Sequence, residues 1–117
     1  MEIDIIKEYA EFFPKNFIGL ECGKGWNQII VSMFESFRKN NSKIHVVQIK
    51  EKFGFLRVYV DFPEDLEAYK IIKNIIAEAE IKSHTTCELC GMKSKITNKD
   101  GWYYNYCIKC QMLEKIS

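Results

Sequence analysis

The chain has 117 residues, of which 47% are hydrophobic and 28% charged, and its formal net charge is +1. This composition excludes a disordered polyelectrolyte and is sufficient for one compact body with its own core. The near-neutral charge gives no global attraction to nucleic acid or to an anionic membrane. It is unevenly spread: residues 1–81 hold eleven basic and thirteen acidic side chains, and residues 82–117 hold six and three. No run approaches the roughly 20 apolar residues of a membrane-spanning helix. The opening MEIDIIKEYAEFF lacks the basic start and unbroken apolar core of a secretory signal, so the expected compartment is the reducing cytoplasm.

In chain order, IDIIKEYAEFF puts Ile3, Ile6, Tyr9 or Ala10, and Phe13 on one helical face, and Pro14 ends that helix. The segment WNQIIVSMFESFRKNN spaces Trp26, Ile29, Ile30, Met33, Phe34 and Phe37 as a second, strongly amphipathic helix stopping near Asn40. In KIHVVQIKEKFGFLRVYVDF, β-branched and aromatic residues predict strands over 44–51 and 55–62, turning at Lys52 to Gly54. Leu56, Val58, Val60 and Phe62 then share a covered face, while Arg57, Tyr59 and Asp61 face outward. Two strands are marginal by themselves, so a third partner is expected from the cysteine-rich tail or from the segment around Phe17 to Leu20. Pro63 marks a helix start with Glu64 and Asp65 in its first turn, and Leu66, Tyr69, Ile72, Ile75, Ile76 and Ala79 carry its stripe to about residue 80. The fold class read from this order is α+β, helices on a small antiparallel sheet. The polar IKSHTT, residues 81–86, separates a body at 1–81 from a module at 82–117.

Four of the five cysteines stand in that module as two CxxC pairs, Cys87/Cys90 and Cys107/Cys110. Each pair can close a tight turn around one ion while the intervening chain returns as a hairpin, with a strand at Ser94 to Thr97, a turn at NKDG and a strand at WYYNY. Four thiolates suit zinc and complete a structural shell with no position left for water or substrate. Competing assignments are a rubredoxin-like iron site, disfavoured by Gln111 where a glycine is wanted, a thioredoxin-like redox pair, and disulfides in an extracellular chain. The second pair leads into CIKCQMLEKI, a predicted helix with Ile108 and Leu113 or Met112 facing inward.

A knuckle at Cys87, Cys90 and Gly91, a hairpin, and Cys107 and Cys110 on a helix's first turn resemble the treble-clef class of zinc fingers over residues 87–116. The resemblance implies a structural Zn2+ and a module shared by proteins that bind DNA, RNA or other proteins. Its nuclease branch needs histidines and acids that this module lacks. A second, looser likeness, carried by VVQIKEKFGFLRVYV and the following four cysteines, is to small bacterial and phage proteins. It implies a mobile-element protein that inhibits host defence.

Among other residues, Cys22 reads as a small buried side chain rather than a nucleophile, since no basic neighbour would activate it. His45 reads as a strand imidazole and His84 as a solvated or supporting group beside the thiols. The acids Glu64/Asp65 and Glu78/Glu80 read as helix-end charges without a nucleophile to serve. Trp102, Tyr104 and Tyr106 alternate on one strand face, with Tyr103 on the other, and that three-ring face is expected to dock the module on the body. The functional expectation is a non-enzymatic protein that binds another protein, with Arg57 and Tyr59 on a candidate surface. The alternative is a nucleic-acid-binding hairpin at 93–109, with Lys93, Lys95, Lys99 and Lys109 meeting phosphates and Tyr103 stacking on bases.

Overall fold

The computed structural model describes residues 4–113. Among them are four α-helices and two small antiparallel sheets, an α+β fold with the cysteine pairs gathered at its C-terminal end.

The N-terminal stripe starts as one helical turn, α1 (Ile5–Glu8), capped by Asp4 Oδ1, which accepts from the Lys7 amide at 3.2 Å. It continues as a 3-10 turn over Ala10–Phe12. The tighter winding rotates the buried face, so Ile5, Tyr9 and Phe12 point inward, Ile6 is exposed and Phe13 is half-buried. This corrects the single helix expected up to Pro14 with Ile6 on its inner face; Ile3 lies outside the described residues.

Helix α2 (Asn27–Lys39) begins after a 3-10 turn at Lys24–Trp26, and all six residues that its spacing sends inward are buried. Phe34 is the hub, with the rings of Tyr9, Phe12, Phe13 and Phe37 centred 5.1, 5.3, 5.2 and 5.8 Å away. Arg38 lies over the Tyr9 ring at 4.4 Å and pairs with Glu11 at 2.7 Å, fastening the N-terminal segment to α2.

Strands β1 (Val46–Lys52) and β2 (Phe55–Val60) pair antiparallel through Phe53 and Gly54, both at positive φ, 56° and 87°. That is the mirror-image turn a twisted two-stranded ribbon prefers. A bulge between Val46 and Gln48 shifts the alternation by one residue, which lets Val46 and Ile49 both enter the core. Leu56 and Val58 are buried as expected, but Phe62 lies past the strand and is exposed.

The expected third partner is a single bridging residue, one beyond Leu20. Glu21 donates to the Ile49 carbonyl at 3.0 Å and accepts from the Glu51 amide at 3.1 Å, blocking the free edge of β1. The other edge is blocked by helix α3 (Leu66–Ser83): Ser83 Oγ accepts from the Leu56 amide at 2.8 Å, and Glu80 Oε2 from the Val58 amide at 3.0 Å. Each side chain thus takes the place of a neighbouring strand.

Asp65 is the N-cap of α3 rather than a first-turn residue, accepting from the Ala68 amide at 2.9 Å, so the helix starts at Leu66, three residues after the expected start at Pro63. It also runs on to Ser83, through half of the polar stretch 81–86, because Ile72, Ile76, Ala79 and Ser83 continue one buried stripe. Beyond it come β3 (Thr97–Lys99), β4 (Trp102–Tyr104) and α4 (Ile108–Leu113). The first of these strands starts at Thr97, later than Ser94, and the β3–β4 turn is Asp100 and Gly101, at φ 52° and 86°.

Candidate metal centre and the surface beside it

The first cysteine pair is shaped by backbone hydrogen bonds. The Cys87 amide donates to the Met92 carbonyl at 2.7 Å, the Gly91 amide returns to the Cys87 carbonyl at 2.9 Å, and the Met92 amide points at Cys90 Sγ at 3.5 Å. Gly91 has φ +85°, which allows this reversal without strain. The second pair opens α4, where the Gln111 amide donates to the Cys107 carbonyl at 3.0 Å.

These two turns bring the sulfur atoms of Cys87, Cys90, Cys107 and Cys110 within 4.8 Å of one another. All four are free thiols, and the Cys90–Cys107 pair is 3.6 Å apart, well beyond a disulfide bond of about 2.05 Å. An ion bound at about 2.3 Å by four thiolates requires tetrahedral edges of about 3.8 Å, which matches that separation. The donor set therefore fits one metal ion. Burial raises the Cys87 thiol, but the amides of Cys107, Cys90 and Leu89 outweigh it and bring the group down to about 7. The Cys110 thiol is pushed up, first by burial and then by the neighbouring sulfurs.

The body grips this knuckle through a feature that composition and spacing did not reveal. The loop Gly23-Lys24-Gly25 lies flat against Cys87 and Glu88: Gly25 donates to the Glu88 carbonyl at 2.7 Å, and Gly23 donates to Glu88 Oε2 at 2.9 Å. A Cβ on Gly25 would sit 2.6 Å from the Glu88 carbonyl carbon, so only glycine fits. Trp26 Nε1 donates to the Thr86 carbonyl at 2.8 Å. The sequence signal was the pair of glycines before a buried tryptophan.

Asn105 forms the second attachment, with no exposed side-chain area at all. Its Nδ2 donates to the carbonyls of Gly54 at 3.0 Å, Ser83 at 2.8 Å and His84 at 3.1 Å, while its Oδ1 accepts from Ser94 Oγ. Trp102, Tyr104 and Tyr106 do share one face, with ring centroids 5.2 and 5.4 Å apart, but Trp102 is 55% exposed. Tyr104 is buried and Tyr106 half-buried, and Asn105 and the glycine loop supply hydrogen bonds between module and body. Ile108, Met112 and Leu113, expected inside, are exposed, and Cys110 is the buried residue of α4.

The candidate surface residues divide into two groups. Lys93, Lys95, Lys99 and Lys109 are all exposed. Lys99 pairs with Trp102 and so stands on the Trp102/Tyr104 face, whereas Tyr103 pairs with Asn98 on the opposite face. Lys99 and Tyr103 therefore do not share one strand face, and Lys93, Lys95 and Lys109 lie outside the two strands. The Arg57 guanidinium lies 5.2 Å over Phe55, Tyr103 meets Phe53 edge to face at 5.6 Å, and Tyr59 carries Lys50 over its ring at 5.8 Å. Phe53, Phe55, His84, Ile96 and Tyr103 line an open groove of about 410 Å³ at this junction.

The remaining polar residues take structural positions. Cys22 packs against the core, and its thiol is pushed up to about 12 by burial and by Glu88, Glu21 and Glu51. His45 lies just before β1, exposed, with Nδ1 3.5 Å from Asp61. His84 stacks edge to face on Phe55 at 4.7 Å. Glu78 pairs with Lys82 at 3.4 Å.

Among the described residues no helix is long and apolar enough to cross a membrane. Comparison of the chain with protein-family models, curated proteins and solved structures gives no match.

Proposed function

We propose that the chain is a non-enzymatic, zinc-stabilised protein that acts in the cytoplasm by binding another protein. Cys87, Cys90, Cys107 and Cys110 would hold one Zn2+ in a treble-clef-like module. The ion would supply rigidity rather than reactivity, because four thiolates close its coordination shell. What supports a metal over disulfides is that all four thiols are free, with the Cys90 and Cys107 sulfurs 3.6 Å apart, and Gln111, where a rubredoxin-like iron site wants glycine, favours zinc over iron.

The observation that carries protein binding is the exposed contact between Phe53 of the body and Tyr103 of the module, which are 56% and 37% exposed and 5.6 Å apart. Two aromatic rings left open at a junction are the composition of a binding surface rather than of a solvated loop. This surface depends on the module being held in place, which gives the metal a role in function without chemistry. A mobile-element setting, with a component of host defence as target, is what the sequence resemblance over VVQIKEKFGFLRVYV and the cysteine pairs implies for this reading.

Nucleic-acid binding is the second reading, favoured by the four exposed lysines of residues 93–109. The division of Lys99 and Tyr103 between opposite strand faces weakens it. The test is capture with tagged zinc-loaded protein and with Tyr103→Ala, each with and without nuclease. A specific protein retained after nuclease and lost with Tyr103→Ala supports protein binding. Recovery that vanishes with nuclease supports the alternative.

A further inference from the structure

The outward face of the β1–β2 hairpin carries a charge arrangement that the fold itself does not need. The register sets Lys50 opposite Arg57, Lys52 opposite Phe55 and Gln48 opposite Tyr59, so these six side chains share one face. Three are cations and none is acidic. Like charges placed directly across a strand pair destabilise it. Neither Lys50, Lys52 nor Arg57 makes an ion pair among the described residues. Each instead rests on a ring: Lys50 over Tyr59 at 5.8 Å, Lys52 over Phe53 at 5.5 Å and Arg57 over Phe55 at 5.2 Å. Of the bordering acids, Glu51 is held by the Gly54 amide and Glu80 by the Val58 amide, while Glu21 reaches only the Gln48 end of this face, accepting from its side-chain amide at 3.1 Å.

Two of those rings, Phe53 and Phe55, continue into the groove of about 410 Å³ closed by His84, Ile96 and Tyr103. An apolar recess of that volume accepts one bulky side chain; Lys52 and Arg57 sit on two of its lining rings, and Lys50 stands across the strand pair from Arg57. We infer that this face takes an acidic polypeptide segment, its carboxylates on Lys50, Lys52 and Arg57 and one large apolar residue seated among Phe53, Phe55, Ile96 and Tyr103. The inference rests on the protein-binding reading and names the chemistry of the partner. Complementary charge holds the segment and neutralises the Lys50–Arg57 repulsion, while the apolar anchor supplies specificity. A polynucleotide fits less well. Three cations give only a weak phosphate contribution, and the ring faces where bases would stack already carry the protein's own cations.

The probe is a short synthetic peptide with one tryptophan flanked on both sides by glutamates, titrated into zinc-loaded protein and followed by amide chemical shifts. The expected result is saturable shifts confined to the hairpin, His84, Ile96 and Tyr103. Replacing the peptide's tryptophan by serine, or Arg57 by glutamate in the protein, should weaken binding about tenfold. Arg57→Glu should at the same time raise the melting temperature, because it turns a repulsive cross-strand pair into an attractive one. No saturable binding, shifts centred elsewhere, indifference to both replacements, or tighter binding of an oligothymidylate of equal charge each overturns the inference. Failure here together with a nuclease-resistant partner that is lost with Tyr103→Ala but ignores Arg57→Glu would leave the protein-binding reading standing and remove only the acidic segment as its occupant.

Discussion

The side-chain amide of Asn105 reaches the carbonyl of Gly54 at 3.0 Å although the two are 51 positions apart in the chain. The same nitrogen serves Ser83 and His84, so one buried asparagine links the turn of the β1–β2 hairpin, the end of α3 and the strand leading to the second cysteine pair. A fully buried amide is favourable only when its partners are all present.

Asn105→Ala should therefore cost about 2–4 kcal/mol, since it removes the donor and leaves buried carbonyls unpartnered. Urea unfolding of the zinc-loaded protein measures it. Asn105→Asp should be no better, because a carboxylate keeps the shape and cannot donate.

The glycine loop gives a paired prediction. Gly25→Ala forces a methyl group into the Glu88 backbone and should cost about 1–3 kcal/mol while also lowering zinc affinity in a chelator competition. Gly101→Ala adds a methyl into open space at φ +86°. It should cost only the left-handed strain of about 1 kcal/mol and leave zinc affinity unchanged.

Elemental analysis should find one zinc per chain, and chelation should lower the melting temperature of the whole protein rather than of its tail alone. Acidification should release the ion, because protons compete for thiolates. In the ion-free protein the Cys87 thiol sits at about 7, below its ordinary value of 9.0. Its stabilising contribution is present above the ordinary value and is lost as pH falls through about 7.

At the alkaline end the signs reverse. Burial and the hydrogen bond to Glu35 raise the Tyr9 hydroxyl to about 12 from 10.0, and burial raises Cys22 to about 12 from 9.0. Both contribute stability that is complete below the ordinary values and disappears as pH rises toward 12. Stability should fall above pH 9 and more steeply above pH 10. Tyr9→Phe should remove the steeper part, and Cys22 should resist alkylation at neutral pH in the folded chain.

What the sequence disclosed follows from how each signal is encoded. Helix α2 was readable in full because Trp26 through Phe37 repeat over three turns, long enough for the period to average out local deviations. The N-terminal stripe departs from its expected spacing because four residues of α-helix complete barely one period before the chain tightens into a 3-10 turn. The four cysteines were legible because spacing alone defines a knuckle. Ser83, Glu80 and Asn105 were not, since a polar residue's partner lies far along the chain and leaves no periodic trace. The grouping of Lys50, Lys52 and Arg57 needed the strand register, which is set by a two-residue turn at Phe53 and Gly54, one residue shorter than the turn expected at Lys52 to Gly54.

The contact between the Gly23–Gly25 loop and Glu88 also has a temporal side. During synthesis the first half of the chain emerges with two glycines and a tryptophan indole whose counterparts at 86–88 are still inside the ribosome. Trp26 then has no carbonyl to meet, and the loop keeps the freedom that glycine confers. The native arrangement must wait until the C-terminal third is released, making this a late-closing protein despite its size.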